Sequence, residues 1–494
     1  MSPFDNLALL AVVLPLLAAP LCVLLDRIGP AWMIALTTAW LSFAAAVMLL
    51  VEVHAGGTVS YRLGGWAPPW GIEYRVDLLG AYVLLIVTAI AALVLLFARR
   101  SVLHEIPHEK GARFYAALLL VFAGLAGITV TGDAFNLFVF LEISSLSSYA
   151  LISMGRDRRA LNAAFQYLVM GTIGATFILI GIGFLYMMTG TLNMLDLAAR
   201  LPEVSNTRTV RAGFAFLTIG LGLKLALFPL HLWLPNAYAH APSVVSAFLS
   251  ATATKVAVYA LLRFLLEVFG VEFSLGRMPL GDILLVLGLT GMLSASLVAV
   301  FQRDVKRLLA YSSVAQIGYM VLGISLASVG GIAAAILHLF NHALMKSALF
   351  LAVGAVAYRM GTVTLRDFSG LGRRMPWTVA AVVLGGLSLI GVPPTVGFLS
   401  KWYLVMAILE QGLWPVALLV LLGSVLALIY VWKLVEAAYF GRPADDAVAV
   451  REAPLSMLLP IWILVGANLY FGVYTEVSVG VAQQAARMLL GDSA

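Results

Sequence analysis

Five lysines lie inside runs of apolar residues: Lys224, Lys255, Lys346, Lys401 and Lys433. One acid joins them, Glu142 in FVFLEISSLSSY. An ionisable group near the centre of a bilayer costs about 2.5–3.5 kcal/mol on insertion scales, so lysines at such places are used or paired. Burial disfavours the charge and a neighbouring carboxylate favours it. A Lys–Glu pair that opens and closes would therefore release and recapture a proton, and Glu142 and Lys224 are natural partners. His338, His342 and Lys346 follow one another at intervals of four, which places them on one face of a helix. Neutral histidine is a suitable relay group. Two other readings of His338 and His342 stand beside that one: satisfied core residues, or two ligands of a zinc ion, although no acidic third ligand is evident on the helix. Lys433 sits near the end of its run, where a lysine can lift its amine to the interface. His231 and His240 flank Pro235, either lining an entrance or lying in a loop.

The elements that must position these residues are membrane helices. The 494 residues are 62% hydrophobic and 11% charged, with mean hydropathy +1.01. Soluble domains carry roughly 25% charged residues, so lipid must take the apolar excess. Runs long enough to cross the hydrocarbon core occur at 7–25, 31–51, 78–98, 113–131, 135–154, 162–188, 212–230, 243–266, 280–300, 307–327, 329–357, 377–408, 413–439 and 454–475. The fold expected is all-α and polytopic, with about fourteen transmembrane helices. Gly391, Pro393 and Pro394 break the 377–408 run, and Pro229 and Pro235 break 212–240. Interrupted helices survive at membrane depth only beside protein or a water-filled cavity. Residues 7–25 lack a basic segment before them and read as a retained span; 476–494 read as a short tail with amphipathic character.

Seventeen Lys and Arg residues fall in loops after odd-numbered spans and eight on the other side. This asymmetry puts the odd loops in the cytoplasm and both termini on the outer face. It also accounts for the net charge of +6 without nucleic acid. A single cysteine, Cys22, cannot form an internal disulfide or hold zinc or an Fe–S cluster alone, and no strand–GxGxxG–helix context offers a dinucleotide site. No cofactor and no metal are expected, and redox chemistry in this chain is disfavoured.

Spans four to eight repeat in spans nine to thirteen. In each block the fourth span is Pro-broken and carries a deep lysine, Lys224 or Lys401, and the fifth holds another, Lys255 or Lys433. An odd number of spans per block inverts one copy relative to the other, a transporter pattern. The chain divides into 1–112 (spans one to three), 113–270 and 280–440 (the two inverted five-helix repeats), and 454–494. The symmetry is imperfect: where the first block has Glu142, the second has only Ser312, Ser313 and Gln316.

FPLHLWLPNAYAHAPSVVSAFLSATATKVAVY (228–259), HLFNHALMKSALFL (338–351) and SLIGVPPTVGFLSKWY (388–403) resemble, in order, three motifs of the proton-conducting antiporter-like membrane subunits. That family includes subunits of respiratory complex I, of membrane hydrogenases and of the Mrp-type multisubunit Na⁺/H⁺ antiporters. GDAFNLFVFLEISSLSSYALI (132–152) looks most like the D-type subunit of the Mrp antiporters. The resemblance spans essentially the whole chain and implies fourteen helices with two inverted repeats. It implies roles for Glu142, Lys224, Lys255, His338, His342, Lys346 and Lys401 along a central polar axis, with Glu142–Lys224 modulating Lys255. Some relatives have glutamate where this chain has Lys401. The function implied is proton translocation within a multisubunit monovalent cation/proton antiporter of the bacterial inner membrane; the alternative is a proton-pumping subunit of a redox complex. Partners implied are the small and large hydrophobic Mrp-type subunits, protons, monovalent cations and the bilayer. Which cation is exchanged stays open, because only Glu142 and the serines at 144, 145, 147 and 148 offer clustered oxygens.

Overall fold

The computed structural model describes residues 6–442 and 450–491. The two chain ends, which the charge asymmetry puts on the outer face, lie outside the described residues. The first helices are α1 (Leu7–Leu25), α2 (Ile28–Gly56), α3 (Leu78–Glu105), α4 (Gly111–Val130), α5 (Ala134–Ser153), α6 (Arg159–Thr189) and α7 (Met194–Val204). Then come α8 (Arg208–Leu225), α9 (Trp233–His240), α10 (Ser243–Ala251), α11 (Ala253–Leu262), α12 (Leu280–Phe301), α13 (Val305–Ser325) and α14 (Val329–Met360). The chain continues through α15 (Leu371–Arg374), α16 (Pro376–Ile390), α17 (Val396–Glu410), α18 (Trp414–Phe440), α19 (Leu455–Val473) and α20 (Glu476–Leu490). Strands β1 (Val59–Arg62) and β2 (Glu73–Val76) form an antiparallel hairpin between α2 and α3, with Val59 opposite Val76.

Among the described residues, twelve helical segments are long and apolar enough to cross a membrane. The two expected spans outside those twelve are the two read as broken. The first divides into α8 and α9. Ala226 takes a left-handed conformation with φ 60°, and Pro229, lacking an N–H, cannot continue the ladder. The second divides into α16 and α17 at Gly391-Val392-Pro393-Pro394. Gly391 has φ +93°, where a side chain is strained, and a Cβ there would meet Lys401 Cδ at 3.0 Å. At Gly397 the approach is closer: a Cβ would lie 1.8 Å from the Ser388 carbonyl oxygen. Glycine at these two positions lets the half-helices cross.

The run 243–266, expected as one helix, is also irregular. Thr252 leaves helical geometry (φ −123°, ψ −54°) between α10 and α11, and the segment Arg263–Val268 continues as a wider π turn. The tail folds as α20, whose inner face (Val479, Ala482, Ala485, Ala486) is buried against α3 and α14.

Burial sorts the helices into two groups. In the most apolar stretch of α14 and of the α10–α11 segment, 94% of residues are buried; in α6, α12 and α18 only 39% are. The first group is covered by protein on every side and can hold polar groups away from lipid. The second presents leucine and aromatic side chains outward, among them Phe165, Val286, Leu422 and Trp432. Helix α14 packs against α3, α10, α13, α16, α17, α19 and α20, which makes it the pillar around which the site residues gather.

Candidate functional site

Lys224 occupies the last turn of α8, where the carbonyl end of a helix favours a cation. Its Nζ donates to Glu142 Oε1 at 3.0 Å and to Ser145 Oγ at 2.8 Å. The expected pair is thus in contact. Of the neighbouring serines, Ser144 and Ser148 donate to carbonyls of their own helix, and only Ser145 turns to the lysine. Beside the pair lies a cavity of about 20 Å³ lined by Ser144, Ser145, Ser148, Tyr167 and Lys224 and, from α11, by Ala253 and Ala257. It is large enough for one water molecule. It separates Lys224 from the helix that carries Lys255.

Lys255 follows the irregular turn at Thr252. Its Nζ donates to the Ser250 carbonyl and, at 3.3 Å, to Thr254 Oγ1. Among the described residues no carboxylate meets it. It lies within electrostatic reach of His338, His342 and Lys346. Lys346 donates to the Leu309 carbonyl at 2.7 Å and to Ser312 Oγ at 2.5 Å. A hydroxyl of α13 thus stands before Lys346, whereas Lys224 has a carboxylate.

The rings of His338 and His342 are 6.0 Å apart and nearly parallel. His338 Nδ1 shares a proton position with Ser400 Oγ at 2.8 Å, and Ser400 precedes Lys401. Lys401 reaches back across the helix break to the Leu389 and Ile390 carbonyls at 2.9 and 3.0 Å, and to Ser424 Oγ at 3.0 Å. It lies over the Tyr319 ring, 4.7 Å from its centre, and that ring is 5.6 Å from His338. The C-terminal carbonyls of α16, which have no partner within the half-helix, thus hold the charge of Lys401.

Along this line several buried atoms have no hydrogen-bond partner among the described residues: His338 Nε2, both ring nitrogens of His342, Asn341 Oδ1, Gln316 Oε1 and the hydroxyls of Tyr319 and Tyr430. Buried polar groups of this kind are nearly always satisfied in folded proteins. Ser400, Ser424, Tyr319 and Tyr430 were not singled out by sequence, because a serine or tyrosine in an apolar run is common; Ser400, next to Lys401, was the nearest to a signal.

The remaining candidates lie apart. Lys433 is half-buried and caps the end of α12 through the Val300 carbonyl, an anchoring position. His231 is buried and stacked on Phe228 at 5.2 Å. His240 lies 3.6 Å from Asp157 and, with His104, Glu105, Asp304 and Lys306, lines a surface cavity of about 520 Å³. Desolvation would raise the Asp157 carboxyl, but the bonds from Arg159 outweigh it and hold the group below its ordinary value. Lys306, expected in a loop, is instead buried in α13 and donates to the Ala241 carbonyl at 3.2 Å.

Residues 131–427 match the family model described as the transmembrane part of NADH:quinone oxidoreductase and Mrp antiporters. The chain is 42% identical to the N-type membrane subunit of NADH-quinone oxidoreductase from Desulforudis audaxviator, over 95% of this chain and 96% of that one. It is 32% identical to the D-type subunit of the Na⁺/H⁺ antiporter from Alkalihalophilus pseudofirmus, over 90% of this chain and 89% of that one. Among solved structures, a chain of the Mrp complex from a Dietzia species superposes with TM-score 0.89 at 27% identity, covering 99% and 98% of the two chains. A chain of an archaeal respiratory membrane complex, the membrane-bound sulfane sulfur reductase, gives TM-score 0.90 at 32% identity, covering 98% of each.

Proposed function

Because this chain belongs to the NADH:quinone oxidoreductase/Mrp antiporter transmembrane family, we propose that it carries protons across the bacterial cell membrane as the D-type component of a multisubunit monovalent cation/proton antiporter. It is an antiporter-like membrane subunit that works with other membrane subunits. The observation that carries the reading is the line of buried basic groups from Lys224 through Lys255, His342 and His338 to Lys401, headed by one carboxylate, Glu142.

While the Glu142–Lys224 pair is closed, the carboxylate neutralises Lys224. When it opens, the uncompensated Lys224 charge raises the cost of a proton on Lys255, which has no carboxylate of its own. Two unit charges 4 Å apart interact by about 4 kcal/mol at an effective dielectric constant of 20. A displacement of a few ångströms in one pair is thus enough to move a proton onward, toward the histidines, Lys346 and Lys401. Fourteen crossings, inverted repeats at 113–270 and 280–440, arginine-rich loops in the cytoplasm and both termini outside complete the proposal.

A second reading is favoured by the 42% identical relative: the same axis in a redox-driven complex. The two differ in what drives the proton. In everted vesicles carrying the assembled complex, a pH change on adding Na⁺, K⁺ or Li⁺ supports antiport. Proton movement only with an electron donor, together with co-purified flavin or Fe–S proteins, supports the redox reading. No proton movement under either drive rejects both.

A further inference from the structure

A second set of charges lies two turns along α11 from Lys255 and takes no part in the axis above. Lys255, Tyr259 and Arg263 succeed one another at four-residue spacing, so they share one side of the helix. Arg263 is buried. Its guanidinium donates to both oxygens of Asp77, with Nη1 2.6 Å from Oδ2, and to Glu267 Oε2 at 2.8 Å. It also stacks 4.9 Å from the Tyr259 ring centre. Glu267 Oε1 accepts from Arg75 at 2.6 Å. The Tyr259 hydroxyl donates to the Thr129 carbonyl at 3.0 Å. A methyl group placed on Gly80 would touch both the Tyr259 hydroxyl and Asp77 Oδ1, each at 3.4 Å, so hydroxyl and carboxylate flank one point. Arg75, Asp77, Arg263 and Glu267 line a cavity of about 530 Å³ whose other wall is the end of α20.

We infer that this cluster is a proton-release site, serving Lys255 on the face opposite the His240 cavity and independent of Lys401. The inference rests on the proton-carrying reading above. Lys255 is turned back toward the Ser250 carbonyl. Rotation about its side-chain bonds swings the ammonium toward Tyr259 instead. The ammonium then gives its proton to the phenol oxygen as the phenol passes its own to the Asp77 or Glu267 carboxylate, leaving a neutral amine, an unchanged phenol and a carboxylic acid. Protonation loosens that acid from Arg263, and it releases the proton to solvent in the cavity. Arg263 keeps its charge throughout. It prevents two neighbouring carboxylates from retaining the proton, so the acid empties outward.

The assembled complex tests this. Cys22, the chain's single cysteine, is buried, so Met488→Cys introduces one accessible thiol. Met488 is half-exposed at the cavity rim and the route does not use it. A bulky membrane-impermeant maleimide, added from the Asp77 face, is expected to cut proton flux in Met488→Cys vesicles at least twofold, the remainder leaving through Lys401. Tyr259→Phe keeps the ring on Arg263 and is expected to cut flux by a similar factor with subunit assembly unchanged. Full flux in fully labelled Met488→Cys, or in Tyr259→Phe, overturns the route. Lys255→Gln separates this failure from that of the parent reading: if it too carries wild-type flux, proton carriage through this chain is itself rejected.

Discussion

At the scale of single residues, the Glu142–Lys224 contact is the most exacting feature. Removing one member of a buried ion pair costs about 3–5 kcal/mol, because the other is left uncompensated. Glu142→Ala is therefore expected to lose most proton flux and to lower the thermal stability of the complex; wild-type flux in everted vesicles would remove the pair from the mechanism. Lys401→Ala should stop transfer beyond the histidines while Glu142 and Lys224 stay in contact, leaving only the flux released at the Asp77–Arg263 cluster, read as a reduced ΔpH with unchanged assembly; a wild-type ΔpH would remove Lys401 from the route. The charged members of the site were legible in sequence because a charge in an apolar run is rare. Their neutral partners were named only within clusters, as with Ser145 and Ser312, or not at all, as with Ser400 and Ser424. Ser145, Ser312, Ser400 and Ser424 look like the small polar residues that help any membrane helices pack, and only side-chain geometry tells Ser145, which bonds Lys224, from Ser144, which bonds its own helix.

At the scale of elements, broken helices do the positioning. Prolines and Gly391 announced two of the breaks. The third, at Thr252, carried no such signal, because threonine tolerates helix and strand alike. Gly391 offers a direct test. Gly391→Ala puts a methyl at φ +93° and 3.0 Å from the Lys401 side chain. Strain of this kind is worth about 1–3 kcal/mol, and the displaced Lys401 should lower flux along with stability. Gly183→Ala, in α6 with open space around the glycine, should leave both unchanged. Equal effects from the two substitutions would show that the break does not position Lys401.

At the scale of the molecule, hydropathy located twelve of the expected spans among the described residues, because an unbroken crossing satisfies its backbone polar groups within one helix. Hydropathy carried a trace of the difference between α14, enclosed by seven other helices, and α18 at the rim: the means are 1.5 and 2.4, because the enclosed helix holds the polar groups. It was silent on α7 and the β-hairpin, which are too short or too polar to register as spans. Orientation rests on the arginine-rich loops. Glu109, exposed between α3 and α4, should as Glu109→Cys react with an impermeant maleimide in everted vesicles and not in right-side-out ones. The reverse pattern would invert the topology.

One carboxylate serves the whole set of basic groups on the axis. Lys255, His342 and Lys346 feel one another's charge, and among the described residues their bonds go to neutral oxygens or to nothing. On the proton-carrying reading proposed above, such a row behaves as a queue with a strict occupancy rule: each arrival makes the next place dearer until an earlier occupant departs. Throughput is then set by how fast vacancies form, and direction by which end of the queue clears first. A neighbouring protein that shifts Glu142 by an ångström would act on the schedule of the queue without touching any of its members.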